Sequence, residues 1–344
     1  MSPGLSGTAS LYRQDGRAVC SVRLLICLMQ HYLARRAAGL LATLAVATLL
    51  IFLALEVLPG NAAQMSLGPD APPEAVAALT TRLGLDLPAW QRYLQWLSGL
   101  LSGQLGDSHA YNIPVADLIA KRMALTLPLA LAAMALTILL ALAAGIYAAL
   151  RHGRSGDLLV MGICQLGLAV PGFWLGILLI IVFAVQLQWF QAGGFPGWQN
   201  GPLAALQALV LPAIALALVQ AAVLARITRA AVLDVLREDY VRTAMAKGLP
   251  RHLVLARHVL RNALIPILTI AGLQFAHLLA GAIVIENVFN LPGLGRLILQ
   301  SIANRDLVVV RNAVLFLALM VICVNFLADL ACGLADPRKR RALA

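Results

Sequence analysis

Six long apolar runs divide this chain of 344 residues, and they constrain its fold more than any other feature of the sequence. A helix needs about 20 consecutive apolar residues to cross the hydrocarbon core of a bilayer, and each run is long enough to do so. The second run, for example, begins MALTLPLALAAMALTILLALAAG. The runs lie at about 36–58, 123–150, 158–187, 206–228, 263–285 and 311–332.

The composition excludes an ordinary soluble domain. Hydrophobic residues make up 61% of the chain and charged residues only 12%, whereas soluble domains carry about 25% charged residues. The runs are continuous and apolar, and they lack the alternating pattern of barrel strands. We therefore predict an all-α, polytopic membrane protein with six transmembrane helices.

The basic residues indicate how the chain is oriented in the membrane. They cluster at 226–261 and 338–341, whereas 188–205 has no charged residue and 59–120 has more acidic than basic residues. Short cytoplasmic loops are enriched in Lys and Arg. We therefore predict that both termini are cytoplasmic and that a long external loop joins the first two helices. The net charge of +11 is attributed to basic residues that orient the chain in the membrane, not to nucleic-acid binding.

Motifs for chemistry are missing from the sequence. It has no phosphate-binding GxxxxGK[ST], so the chain is not expected to hydrolyse ATP itself, and no enzyme, cofactor or metal site is predicted. The acidic residues that touch the runs, Glu56, Glu286 and Asp329, lie near predicted helix ends. Ion-driven carriers usually place such groups near the midplane, which makes a secondary transporter the weaker alternative.

The third run contains a candidate break. Pro171 and Gly172 interrupt it within the stretch GLAVPGFWLG. One interpretation is a broken helix along a transport path, and the other is a kink that neighbouring helices tolerate.

A basic segment between the fourth and fifth runs predicts a helical hairpin on the cytoplasmic side. It reads RITRAAVLDVLREDYVRTAMAKGLPRHLVLARHVLRN at 226–262, and the hairpin covers about 229–262. Gly248 is expected to end the first helix in a left-handed conformation, and Pro250 prevents its continuation. The alternative is a solvated basic loop near anionic lipid.

The hairpin supplies candidate contact residues. Small side chains at Thr243, Ala244 and Ala246 would allow a partner to approach closely. The residues predicted to contact a partner or to shape the hairpin are Asp239, Tyr240, Thr243, Ala244, Lys247 and Gly248.

The segment TAMAKG at 243–248 resembles the cytoplasmic loop motif of permease subunits in ABC importers, with Thr243 replacing the usual leading Glu. Other stretches, such as VPGFWLGILLIIVFAVQLQWFQAGGF and IENVFNLPGLGRLILQSIANRDLVVV, resemble the same family in the same order. The chain is thereby identified, over about 29–340, as similar to inner-membrane permeases of dipeptide, oligopeptide and nickel importers.

This resemblance implies a bacterial inner-membrane protein that transports di- or oligopeptides, with nickel or a metal chelate as the alternative. It implies four kinds of partner: a second homologous permease, two cytoplasmic ATP-binding subunits, a periplasmic or lipid-anchored substrate-binding protein, and membrane lipid. The hairpin would then be the coupling helix. The resemblance also places an external mouth at Glu286, Asn287, Pro292, Gly293 and Gly295.

The same resemblance suggests three segments. Residues 1–28 are interpreted as a non-native N-terminal extension, because family members start a few residues before paired arginines and MQHYLARR begins at Met29. Residues 29–122 would hold the first helix and the external loop, and 123–340 the permease core. Peptides from 1–28 in the mass spectrum of the native protein would contradict the first interpretation.

Overall fold

The computed structural model describes residues 34, 36–56, 71–82, 84 and 86–335. The interpreted extension at 1–28 and the basic tail at 338–341 lie outside the described residues. Within those ranges the fold is all-α, with a single isolated bridge between Asp107 and Pro114.

The helices of the described ranges alternate between long spans and short connecting elements. In chain order they are α1 (Arg36–Glu56), α2 (Pro73–Arg82), α3 (Ala89–Leu101), α4 (Val115–Leu150), α5 (Ser155–Ala169), α6 (Gly172–Gln186), α7 (Pro202–Leu236), α8 (Asp239–Ala246), α9 (Arg251–Val288), α10 (Leu294–Ala303) and α11 (Leu307–Ala335).

Five of these helices are long and apolar enough to cross a membrane, namely α1, α4, α7, α9 and α11. Helices α5 and α6 together make a sixth span, which is bent by 100° between its two halves. The prediction of six spans in an all-α membrane protein is confirmed. The third span is broken, as one of the two interpretations of its proline had it.

The break has a local cause. Val170 is extended, with φ −91° and ψ 124°, which is the conformation that a following proline favours. Pro171 lies just before the first residue of α6 and has no N–H that a continuing helix would need. Beyond it, α6 widens into a π-helical segment at Ile180–Gln186.

Helix α4, which is the second span, starts earlier than its apolar run. It begins at Val115, so the proposed boundary between the segments 29–122 and 123–340 falls inside it. Charged residues such as Asp117, Lys121 and Arg122 end the apolar run, but they do not end the helix. Asp117 lies in the first turn, where a carboxylate interacts favourably with the helix dipole.

Contacts between helix ends define two sides of the bundle. The side that carries α8 is called the hairpin side. Helix α11 ends there, because the Cys332 sulfur lies 3.7 Å from the Ile265 carbonyl in the first part of the fifth span. Helix α1 begins there, because Arg36 pairs with Asp329 of α11. The described chain therefore starts and finishes on one side; that this side is cytoplasmic stays a prediction.

On the opposite side, the segment between the first two spans is fastened to α11. The indole N–H of Trp96 in α3 donates to the Asn312 side-chain oxygen at 3.0 Å. The Arg311 guanidinium lies 4.6 Å from the centre of the Trp96 ring, an arrangement that favours a cation over an aromatic face. Phe52 of α1 also packs against Trp96, so three helices meet at this ring.

Close approach of α4 and α7 forms the centre of the bundle. A Cβ at Gly145 would lie 2.6 Å from the Thr228 Cβ and 2.7 Å from the Ala225 carbonyl. Alanines such as Ala133 and Ala217 are fully buried along the same pair of helices. Small residues let membrane helices gain dispersion contacts, because lipid supplies no hydrophobic force between them.

We expect Gly145→Ala to lower the thermal stability of the purified protein, since α4 and α7 would have to separate. Such overpacking costs about 1–3 kcal/mol. Gly162→Ala is the matched control, because a Cβ there meets nothing within 4 Å. Thermal unfolding in detergent measures both. Equal stability of the two variants would contradict the close packing.

Candidate functional site

The hairpin is formed by α8 and the start of α9. Helix α7 ends at Leu236, α8 runs over Asp239–Ala246, and Gly248 follows with φ 80°. Pro250 then precedes the first residue of α9. The expected helix–turn–helix geometry, with a left-handed glycine and a proline restart, is confirmed for these residues.

Buried contacts hold α8 against α9. Val241 and Ala244 of α8 are buried in one cluster with Val254 and Val259 of α9. The Asn262 amide donates to the Tyr240 hydroxyl at 2.8 Å across the same pair of helices. Ala244 therefore shapes the hairpin, which is one of the two roles predicted for it, because its side chain is buried with residues of α9.

The hairpin exposes polar and apolar side chains near one another. Asp239, Thr243, Lys247 and Gly248 are exposed, as a partner contact requires. Sequence analysis missed three exposed apolar side chains beside them, because they lie on α8, in the turn and on α9, where no single helical period relates them. We call Met245, Leu249 and Leu253 the hairpin face.

The hairpin face precedes the apolar part of the fifth span. Leu253 precedes the fifth apolar run, which starts at 263, by ten residues, or about 15 Å of helix. A group of exposed apolar side chains is a candidate surface for binding a protein or a lipid.

Two continuous helices connect the hairpin to the membrane. Helix α7 has 35 residues and α9 has 38, which gives lengths of about 52 and 57 Å. Both exceed the roughly 30 Å of a hydrocarbon core. Within α9, a π-helical segment at Val254–Leu260 lies just after the hairpin turn. A force on α8 would therefore reach the membrane through α7 and α9.

On the opposite side, a buried carboxylate organises the turn after α9. Glu286 is fully buried and accepts from the Thr126 hydroxyl at 2.6 Å and from the Arg296 backbone N–H at 3.1 Å. The Thr126 oxygen in turn accepts from the Leu294 N–H at 2.8 Å. These bonds satisfy N–H groups at the start of α10 that have no partner within their helix.

Two glycines make room for this carboxylate. A Cβ at Gly293 would lie 2.2 Å from the Glu286 carboxylate, and one at Gly295 would lie 2.5 Å from the Ile283 Cα. The requirement is steric, since Gly293 has φ −96°. Of the residues predicted for an external mouth, Glu286, Gly293 and Gly295 are brought together. Asn287 is exposed and bonds to the Ile283 carbonyl of its own helix, and Pro292 is half-buried in the turn.

The broken third span packs against α7 and α9. A Cβ at Gly172 would lie 3.8 Å from Val219 of α7. Further along α6, a Cβ at Gly176 would lie 3.2 Å from Ile285 and from Phe289. The span therefore contacts α7 near its bend and α9 beyond it.

Comparison with known proteins places this architecture in a family. Residues 141–341 match the model of the binding-protein-dependent transport system inner membrane component, and residues 29–130 match the N-terminal model of the same components. This chain belongs to the family of inner membrane components of binding-protein-dependent transport systems. It is a multi-pass permease of the inner membrane, and the resemblance drawn from the loop motif is confirmed. The family is one of permeases, not of enzymes.

Individual relatives agree with the family. The chain is 41% identical over 313 residues to a Brucella melitensis protein provisionally named a peptide transport system permease protein, covering 91% of this chain and 99% of the relative. It is 40% identical over 312 residues to the glutathione transport system permease protein GsiC of Escherichia coli K12, with coverage of 91% and 99%.

A solved structure supports the fold. A chain of the MetNI methionine ABC transporter in an inward-facing conformation matches with a TM-score of 0.53 at 18% identity, covering 66% of this chain and 96% of that chain. At this level of identity the match supports a shared fold and nothing more.

Among the residues the structure describes, no group of three His, Cys, Asp or Glu is placed to hold a metal ion.

We expect Gly293→Ala to destabilise the protein because the Glu286 carboxylate occupies the space of the new methyl group. The same change in a Glu286→Ala background should cost little, because the obstacle is gone. The two substitutions should therefore be non-additive by about 0.5–3 kcal/mol. Thermal unfolding of the two single variants and the double variant measures this. Additive losses of stability would contradict the arrangement.

Proposed function

We propose that this permease pairs with a second, homologous permease and forms with it the path by which di- or oligopeptides enter the cell. The relatives named for peptide and glutathione transport support this substrate class, because they align over 91% of the chain. Glutathione is itself a short peptide. Nickel or a metal chelate is the alternative substrate from the same family branch.

Energy for uptake would come from two ATP-binding subunits on the hairpin side. The single observation that carries this proposal is the hairpin between the end of α7 and the start of α9, with exposed apolar side chains that precede the fifth apolar run. Met245, Leu249 and Leu253 would seat in a groove of an ATPase, and exposed charges such as Asp239 and Lys247 would contact its rim. Basic residues around the hairpin favour the cytoplasm for this side.

A substrate-binding protein would deliver the peptide on the opposite side, where the turn after α9 lies. Glu286 and the two glycines hold that turn against α4 and α10. This fastening favours a fixed cover over the ends of the spans, and direct gating by the turn is the less favoured alternative.

Reconstitution tests the proposal. The chain, the second permease, both ATPases and the binding protein are placed in proteoliposomes, and uptake of labelled dipeptide, glutathione and a nickel chelate is measured. We expect peptide uptake that requires ATP and the binding protein. Uptake by the purified chain alone, driven by an ion gradient, would show a secondary transporter instead. Uptake of the nickel chelate alone would favour the alternative substrate.

We expect Gly248→Val to reduce ATP-driven uptake more than expression. A left-handed conformation costs a residue with a side chain about 1–2 kcal/mol, so the hairpin turn would distort, while a Cβ there meets nothing within 4 Å. Gly248→Asn is the matched control, because asparagine tolerates this conformation. The assay compares uptake with the amount of assembled complex. Equal uptake by the Val and Asn variants would contradict the role of the turn.

A further inference from the structure

A buried ion pair joins the broken third span to α7 on the hairpin side. The Asp157 side chain is 4% exposed and lies in the first turn of α5. The Arg229 Nε donates to Asp157 Oδ1 at 2.6 Å, and Arg229 Nη2 donates to Oδ2 at 2.6 Å. Two parallel bonds of this kind fix orientation as well as distance.

The loop before α5 joins the same carboxylate. The Gly153 backbone N–H donates to Asp157 Oδ2 at 3.1 Å. His152 Nδ1 lies 3.2 Å from Asp157 Oδ2 and 2.9 Å from Arg229 Nη2. The ion pair therefore fastens α7 to the start of α5 and to the turn that connects α5 to α4.

The position of the pair relates it to the hairpin. Arg229 precedes the last residue of α7, Leu236, by seven residues, or about 10 Å. From the pair, α5 runs along α7, and a Cβ at Gly167 would lie 3.5 Å from the Ala222 Cβ. At its far end, α5 meets the 100° bend to α6.

We propose that Asp157 and Arg229 are positioning residues that make α5 follow the movement of α7, so that the bend at 170–171 changes with the state of the ATPases. This inference rests on the proposed function. A bend can respond to force only if the segment on one side of it is held to the element that moves. Apolar packing allows one helix to slide along another, whereas the bidentate pair fixes the position of α5 on α7.

The experiment uses the complete reconstituted transporter. Asp157→Asn and Arg229→Lys are compared with the wild type for assembly, ATP hydrolysis and peptide uptake. We expect peptide taken up per ATP hydrolysed to fall at least about fivefold in Asp157→Asn, and less in Arg229→Lys, which keeps the charge but loses the fork geometry. Asp234→Asn is the matched control, because Asp234 is an exposed carboxylate near the same end of α7.

A distance measurement separates positioning from stability. Spin labels on the exposed positions Leu159 of α5 and Val185 of α6 report the bend. We expect the distance to change with ATP in the wild type and not in Asp157→Asn. Wild-type uptake per ATP in Asp157→Asn and in Arg229→Lys, or an unchanged response of the labels, would overturn this inference alone. Absence of ATP-driven uptake by the wild type would overturn the proposed function and this inference together.

Discussion

The bilayer core offers no water to the backbone, and every feature of this fold follows from that constraint. Each N–H and C=O in the hydrocarbon layer must find a partner within the protein. Helices satisfy this requirement segment by segment, which is why the described chain is built from long spans. Where the helix is interrupted, at Val170–Pro171, α7 lies beside the interruption, since a Cβ at Gly172 would lie 3.8 Å from Val219.

Polar side chains serve as fastenings at the two sides of the bundle. Glu286 holds the turn after α9 on one side, and Asp157 with Arg229 holds α5 to α7 on the hairpin side. Glu286 and Asp157 are buried, Arg229 is partly exposed, and each has partners within hydrogen-bond distance, which is the condition under which a buried charge is tolerated. Between them, α4 and α7 pack through small residues, and the Thr137 hydroxyl of α4 lies 3.4 Å from the Ala217 carbonyl of α7. The charged contacts thus lie near the two ends of the bundle, and small residues pack its middle.

This distribution suits a permease moved by partners. Under the proposed function the hairpin would receive force between the end of α7 and the start of α9, and it is held together by Val241, Ala244 and the bond from Asn262 to Tyr240. Because those contacts are internal, the exposed hairpin face is free to bind a neighbouring subunit. A well-packed hairpin with an exposed binding surface suits a permease whose sequence has no ATP-binding motif of its own.

The sequence by itself determined the spans, the hairpin and the family, because apolar length, Gly248, Pro250 and the loop motif are all local signals. It also indicated an interruption at Pro171, but left open whether this is a broken helix or a kink that neighbouring helices tolerate. Only the tertiary structure decided that Ala244 faces inward, that Glu286 lies beneath Gly293 and Gly295, and that Asp157 meets Arg229 from 72 residues away. The physical reason is that such pairings depend on how helices pack, and helix packing brings together residues that no local pattern relates.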